Sequence, residues 1–342
     1  MISPILAVLT SAVPMAPQPS VIPEWIDFYG DMRLRLESTA DQANGVDRTR
    51  GRMRFRAGAK FQISDDLKAE VRVSSASGVA NNPHWDMGGS NGTDTLSGSD
   101  MVIDRINLAW AASDSVTVVA GKMGAPLKTN PVFSEWVWDG DIQPAGIAGI
   151  WAAGGDFDFD VRLAHFIVDE VNLSGTSTAD PAITILQVNL GDDTEDLDWD
   201  INTSLWNWSN EGPAEFLVWD TVLSASMDDF TGSVEFIQNL DDDTGDDSGL
   251  AFGLKYGAGG SQGSSQFFGS FFDFDANANV WGVAQDDVPI GPSATDGLTG
   301  FVAGWKYWWQ DNVTFRVWAL QGDDGTDDPM RLRFDIDVKL TR

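Results

Sequence analysis

Trp25-Ile26-Asp27-Phe28-Tyr29-Gly30-Asp31-Met32-Arg33-Leu34-Arg35-Leu36-Glu37 alternates without a break. From Ile26 onward, even positions are apolar or Gly, and odd positions are polar or charged. A period of two is that of a strand with one apolar and one wet face. The wet face here carries full charges. The last run of the chain, Arg331-Leu332-Arg333-Phe334-Asp335-Ile336-Asp337-Val338-Lys339-Leu340, repeats the pattern. A soluble sandwich turns such an apolar face into a core. A membrane barrel turns it into lipid and turns the charged face into an aqueous lumen.

Composition narrows the choice. The chain has 342 residues, enough for one large barrel. It has no Cys, which excludes a disulfide scaffold and Cys-based metal sites. His84 and His165 are the only histidines, too few for a His-rich metal or nucleophilic site. A net charge of -31 argues against nucleic acid as a partner, through like-charge repulsion. The 15 Trp and 19 Phe argue against disorder and suit the aromatic girdles of a membrane barrel.

Residues Ile2 to Ala16 are apolar and small. The run is shorter than the roughly 20 residues of a spanning helix and reads as a signal-peptide core. We expect a signal peptide over residues 1–16, with cleavage after Ala12 or Ala16. Residues 17–342 then form a single transmembrane barrel domain. No Lys or Arg precedes the apolar run.

Sixteen stretches read as strands, near 25–37, 50–63, 67–75, 101–112, 116–123, 145–153, 157–168, 182–190, 197–208, 214–225, 230–240, 250–258, 266–275, 298–309, 313–321 and 330–341. Short polar turns such as Ser64-Asp65-Asp66, Ser113-Asp114-Ser115, Met227-Asp228-Asp229 and Gln310-Asp311-Asn312 separate some of them. Longer segments separate others: 38–49, 76–100, 124–144, 169–181, 276–297 and 322–329. Short and long connections alternate in register outside the middle of the chain. That is the order of an up-and-down barrel with tight turns at one rim and long loops at the other. The alternation is weakest over 182–250. An even strand number near sixteen brings both chain ends to one rim and leaves an aqueous channel rather than a packed interior.

The residues resemble the outer-membrane porins of Gram-negative bacteria. Phe28-Tyr29-Gly30-Asp31-Met32-Arg33-Leu34-Arg35 is similar to the first strand of that family. Asp47-Arg48-Thr49-Arg50-Gly51-Arg52-Met53-Arg54-Phe55-Arg56 is similar to the second, with Ile63-Ser64-Asp65-Asp66-Leu67-Lys68-Ala69 as the first short turn. Ile106-Asn107-Leu108-Ala109-Trp110, followed by Ala120-Gly121-Lys122-Met123, is similar to the next hairpin. Trp138-Asp139-Gly140-Asp141-Ile142-Gln143-Pro144-Ala145-Gly146 is similar to the third-loop segment. The likeness is strongest over about 25–150. It implies an all-β transmembrane antiparallel barrel of about 16 strands, whose third long loop folds inward. It also implies residence in the bacterial outer membrane, contact with outer-membrane lipid, and passive diffusion of small hydrophilic solutes and ions. Trimers are common in such families, but no residue here marks a trimer face. The chain departs from the family in ending Leu340-Thr341-Arg342 rather than in an aromatic.

The charges give the lumen its expected character. Arg50, Arg52, Arg54 and Arg56 share one parity, opposite to Met53 and Phe55; Arg33 and Arg35, and Arg331 and Arg333, do likewise on the end strands. Arg72 stands opposite Val71 and Val73. An Arg facing lipid at mid-bilayer costs roughly 2–4 kcal/mol, so a set of this size must face the lumen. We therefore expect a pore-lining basic wall of Arg33, Arg35, Arg50, Arg52, Arg54, Arg56, Arg72, Arg331 and Arg333. Like charges on alternate positions repel and need counter-charges. The third long loop supplies Glu135, Asp139 and Asp141. The resemblance implies a transverse field between wall and loop, of the kind that sets ion selectivity.

Two acidic runs, from Asp241 to Asp247 and from Asp323 to Asp328, fall in long loops. Carboxylates interspersed with Gly suit Ca²⁺, which makes Asp241, Asp243, Asp246, Asp323 and Asp327 its candidate ligands; solvated loops are the alternative. His84 reads as a loop residue. The chain carries no nucleophile elbow, zinc motif or phosphate loop, so no enzyme is expected and no cofactor beyond that Ca²⁺. The competing reading is a secreted or surface acidic β-sandwich that binds polysaccharide with Ca²⁺.

Overall fold

The computed structural model describes residues 23–40, 47–76, 82–87, 100–134, 136–155, 157–168, 181–194, 196–209, 216–242, 245–280, 283–284 and 297–341. The expected signal segment 1–16, Glu135 and Asp243 lie outside the described residues.

Seventeen strands form one sheet. They are β1 (Ile26–Ala40), β2 (Arg48–Gln62), β3 (Leu67–Ala76), β4 (Trp85–Asp86), β5 (Asp100–Ser113), β6 (Val116–Lys122), β7 (Ala145–Ala153), β8 (Asp158–Ile167), β9 (Ala182–Asp193), β10 (Asp198–Ser209), β11 (Phe216–Met227), β12 (Phe230–Asn239), β13 (Ser248–Tyr256), β14 (Ser265–Phe274), β15 (Leu298–Gln310), β16 (Val313–Asp323) and β17 (Met330–Thr341). Each barrel strand pairs antiparallel with its sequence neighbour, and β17 pairs with β1 from Tyr29↔Thr341 to Ala40↔Met330. The sheet closes on itself. Closure leaves no edge among the sixteen long strands. It also removes the β-sandwich reading, which needs two separate sheets.

All sixteen expected strands are present, and the added one is the two-residue β4. It lies in the second long loop and pairs Arg52↔Asp86 and Met53↔Trp85 on β2. The reason is length: β2 has 15 residues and β3 only 10, so the far end of β2 needs another partner. At the opposite rim the connections are tight. Between β11 and β12 only Asp228 and Asp229 intervene, and Asp228 takes φ 52°, a left-handed conformation that Asp tolerates in hairpin turns.

Parity sorts the faces. Leu36 is 55 % exposed while its neighbour Arg35 is 4 %. Phe28, Met32, Leu34, Phe55, Leu163, Leu223, Phe301 and Phe334 also stand exposed on the outer face. Near the short-turn rim this belt carries paired aromatics: Trp25 with Phe61 at 6.1 Å, Trp151 with Phe159 at 5.8 Å and Phe230 with Tyr256 at 4.6 Å. Such rings suit the level of lipid headgroups.

The weak alternation over 182–250 has a physical cause. β9 to β12 are regular in register, but Ile183, Ile185, Trp206, Trp208, Val218, Val222 and Ile237 turn inward and are buried. The lumen wall is apolar there because the third long loop packs against it.

Candidate functional site

The register across β17, β1 and β2 builds a ladder of charge. Its rungs are Lys339–Asp31–Arg56, Asp337–Arg33–Arg54, Asp335–Arg35–Arg52 and Arg333–Glu37–Arg50. Each rung holds one carboxylate and two cations. The next rung toward the long-loop rim, Arg331–Thr39–Arg48, holds cations alone. Contacts follow the register. Arg33 Nε meets Asp337 at 2.6 Å, and Asp335 receives Arg35 at 2.8 Å and Arg316 of β16 at 2.7 Å. Asp31 receives Arg54 at 2.9 Å and Arg56 at 2.8 Å. Glu37 receives Arg50 at 2.6 Å and is also bonded by Arg333. Charge-assisted pairs of this kind are the strong hydrogen bonds of proteins.

Most counter-charge for the arginines therefore comes from the wall itself rather than from the third long loop. Asp31, Glu37, Asp335 and Asp337 share the inward parity of the arginines, so their signal stood in the quoted runs. Which acid meets which base depends on cross-strand register. Arg72 likewise pairs with Asp104 of β5 at 2.6 Å, and Arg105 with Glu70 at 3.4 Å.

The second long loop covers part of the ladder. Asn82 accepts a hydrogen bond from Arg52, and Asp86 meets Arg52 at 3.2 Å and Arg50 at 3.3 Å. His84 is buried beside them. Burial, and then the charges of Arg35, Arg52, Arg54 and Arg33, push its pKa well below the ordinary histidine range, so its ring is neutral. Arg35, Arg52, Arg333 and Asp335 consequently face inward but are enclosed. Arg33 and Arg56 keep 15 % of their side-chain surface.

The third long loop, residues 123–144, travels round the inside of the barrel. It leaves β6 and pairs with Gln187 of β9, whose amide exchanges hydrogen bonds with the Lys128 backbone at 2.8 and 2.9 Å. Lys128 Nζ reaches Asp200 at 2.6 Å. Asn130 donates to Glu235 of β12 at 2.8 Å. Val132 then crosses β13 at Gly253, where a Cβ would stand 2.8 Å from Val132 Cβ. Only glycine permits that approach. Phe133 lies 6.2 Å from Phe268 and 6.4 Å from Trp318. Trp136 lies 5.0 Å from both Phe272 and Phe274, and Trp138 stacks on Trp206 at 5.9 Å. The loop returns with Asp141 against Arg54 at 3.1 Å and Arg56 at 2.9 Å, and Gln143 accepts from Arg105 at 2.6 Å. Burial raises the pKa of Asp141, but Arg54 and Arg56, and then Arg33 and Arg35, outweigh it and hold the carboxyl below the ordinary aspartate range.

Of the expected loop acids, Asp141 meets the arginines. Asp139 is buried and accepts the Asp141 backbone N–H at 2.7 Å, while its own N–H donates to Val283 O at 2.8 Å. It shapes the loop. Of the expected Ca²⁺ ligands, Asp241, Asp246, Asp323 and Asp327 are described, and among the described residues no three His, Cys, Asp or Glu side chains converge on a metal-sized site. In the last long loop Asp323 accepts the Gly325 N–H at 2.8 Å and Asp324 that of Asp327 at 2.7 Å, so these carboxylates cap turns.

Hollows lie on both sides of the third loop. One, of about 480 Å³, is lined by Ser74, Asn82, Asp104, Lys122, Asp141 and Gln143, toward the long-loop ends of β3 and β5. The other, of about 350 Å³, is lined by Lys128, Asp158, Asp192, Asp198 and Asp200, toward the short-turn ends of β8 to β10. The first is also lined by Ala76, Pro83, Val102, Ile103 and Ile142 and is the more apolar of the two, so open space of unlike character flanks the inward loop.

Comparison with known proteins agrees with this geometry. Residues 41–155 match the sequence profile of the family described as "Putative porin". The fold is similar to that of Pseudomonas putida OprB in its high-pH structure, at 12 % identity over 92 % of this chain and 94 % of that one, with a TM-score of 0.64. It is also similar to a triple mutant of Rhodopseudomonas blastica porin, at 12 % identity over 92 % of this chain and 100 % of that one, with a TM-score of 0.57. No curated protein sequence matches the chain.

Proposed function

We propose that this chain, a closed sixteen-stranded barrel of porin fold with a short added strand, is an outer-membrane porin through which small hydrophilic solutes and ions diffuse passively. One observation carries the reading. The same strands hold a continuous apolar belt outward and a charged ladder inward, and a long loop narrows the space they enclose. Lipid contact explains the first and an aqueous path the second. The arginines left partly open beside that path, Arg33 and Arg56, would meet a permeating ion together with Asp31, Asp141 and Asp337. The chain acts as a channel rather than an enzyme. Its partners are solutes and membrane lipid, and its net charge of -31 disfavours nucleic acid. Assembly as a homotrimer belongs to the same reading, and native mass spectrometry in detergent tests it.

The decisive experiment is planar-bilayer recording of the refolded protein. Discrete conductance steps with a reversal potential in asymmetric salt are expected. A correctly folded barrel that passes no current, and gives no swelling of liposomes in small sugars, would overturn the proposal.

A further inference from the structure

Two carboxylates are buried in the wall beneath the inward loop without a cation against them. Asp220 of β11 and Glu235 of β12 are 6 % and 3 % exposed. Asp220 accepts one hydrogen bond, from the Ser204 hydroxyl at 3.3 Å, and its Oδ1 is enclosed without a partner. Glu235 accepts one, from Asn130 at 2.8 Å. Neither takes part in an ion pair with a described residue. Lys128 of the loop is engaged with Asp200 at 2.6 Å, and Lys255 of β13 with the Pro131 carbonyl at 3.2 Å. The two lie on paired strands, Glu235 opposite Val222 and so one inward position along from Asp220.

The register gathers more oxygen at the same place. Val222 lies between Asn202 and Glu235 in one rung, Asp220 is the next inward residue on β11, and Asn189 stands opposite Asn202. Asn202 is 2 % exposed and Asn189 is 0 %. The amide oxygen of each is enclosed and unpartnered. Burying a carboxylate is costly unless charge and hydrogen bonds compensate it, and two adjacent ones compound the cost. A donor set made only of oxygen, with two negative charges, matches a hard divalent cation. We propose that Asp220, Glu235 and Asn202 bind a divalent cation of the Ca²⁺ class under the third loop, so that the ion fastens Asn130 and its loop to β11 and β12. This site is distinct from the acidic outer loops.

Trp206 supplies the probe, because its Nε1 donates to Ser204 Oγ at 2.8 Å and Ser204 in turn bonds Asp220. The full chain, refolded in detergent and stripped with EDTA, is titrated with Tb³⁺ under tryptophan excitation. Saturable Tb³⁺ emission, displaced by Ca²⁺, is expected. It should fall at least tenfold in Asp220→Asn/Glu235→Gln and persist in Asp241→Asn/Asp246→Asn/Asp323→Asn/Asp327→Asn. Should the double variant fail to fold, Glu235→Gln alone and Asn202→Leu take its place. Ca²⁺ should also raise the thermal midpoint of the wild type, and that rise should vanish in Glu235→Gln. Emission that survives the wall variants, or disappears with the outer-loop variant, overturns the site. So does a wild type with neither emission nor a Ca²⁺-dependent midpoint, the result expected if the carboxylates instead share a proton.

Discussion

Asp335 shows how much a single charge in this wall holds. It is fully enclosed and receives guanidinium groups from Arg35 and Arg316 on the two flanking strands. Asp335→Asn would leave the buried Arg35 and the partly buried Arg316 short of charge, and removing one partner of a buried pair costs about 3–5 kcal/mol. Asp337 pairs with Arg33 in the same way but keeps 25 % of its side-chain surface, so Asp337→Asn should cost about 1 kcal/mol or less. Thermal unfolding of both variants in the same detergent should rank them in that order. Asp141 gives a pH dependence of known sign. Its folded pKa is depressed, so its tie to Arg54 and Arg56 is present above the unfolded carboxyl value and is lost as pH falls through the lower folded one. Single-channel conductance should therefore hold steady from about pH 7 to about pH 5 and change only below the ordinary aspartate range.

At the scale of the element, the third long loop is the deciding segment. Its ends are polar and bind the charged walls, and its centre is aromatic and binds an aromatic wall. Trp136 is 1 % exposed, and truncation of a buried Trp costs about 3–5 kcal/mol. Trp136→Ala should free the loop before it opens the barrel. Proteolysis within 123–144 at a temperature where the barrel stays heat-stable in electrophoresis would reveal it. Deleting Phe133 to Trp138 should raise single-channel conductance, and an unchanged value in a folded deletion would place the constriction elsewhere. On β2 the faces can be read directly: a lipid-restricted thiol probe should label Phe55→Cys and leave Arg54→Cys unlabelled.

At the scale of the whole molecule, opposing fields would act on an ion that permeates the proposed channel. The net charge is -31, and the hollow toward the short-turn rim is lined by Asp158, Asp192, Asp198 and Asp200 against Lys128. These acids enrich cations. The ladder carries an excess of cations on every rung and favours anions. With a Debye length of about 8 Å at physiological salt, charges beside the ion outweigh those at the mouth. We expect near-neutral or modestly anion-preferring selectivity. Replacing Arg33, Arg54 and Arg56 with Gln should move the reversal potential toward cations. Arg52→Gln should move it less, because Arg52 is covered by the second long loop.

The strands, the closed barrel and the inside-out distribution of charge were legible in the chain alone, because a period of two is local and charges placed in lipid are costly. So was the inward parity of Arg33, Arg35, Arg50, Arg52, Arg54 and Arg56. Only the tertiary structure decided which charges remain open to the lumen. The pairing of Arg35 with Asp335 joins residues 300 apart in sequence, and the enclosure of Arg52 depends on a loop that returns to β2. Inward apolar residues such as Ile185, Trp206 and Ile237 blurred the alternation of β9 to β12 because their partner, the third long loop, belongs to another part of the chain. Alternation records what a face meets, and for an inward face that can be water or another segment of the same protein.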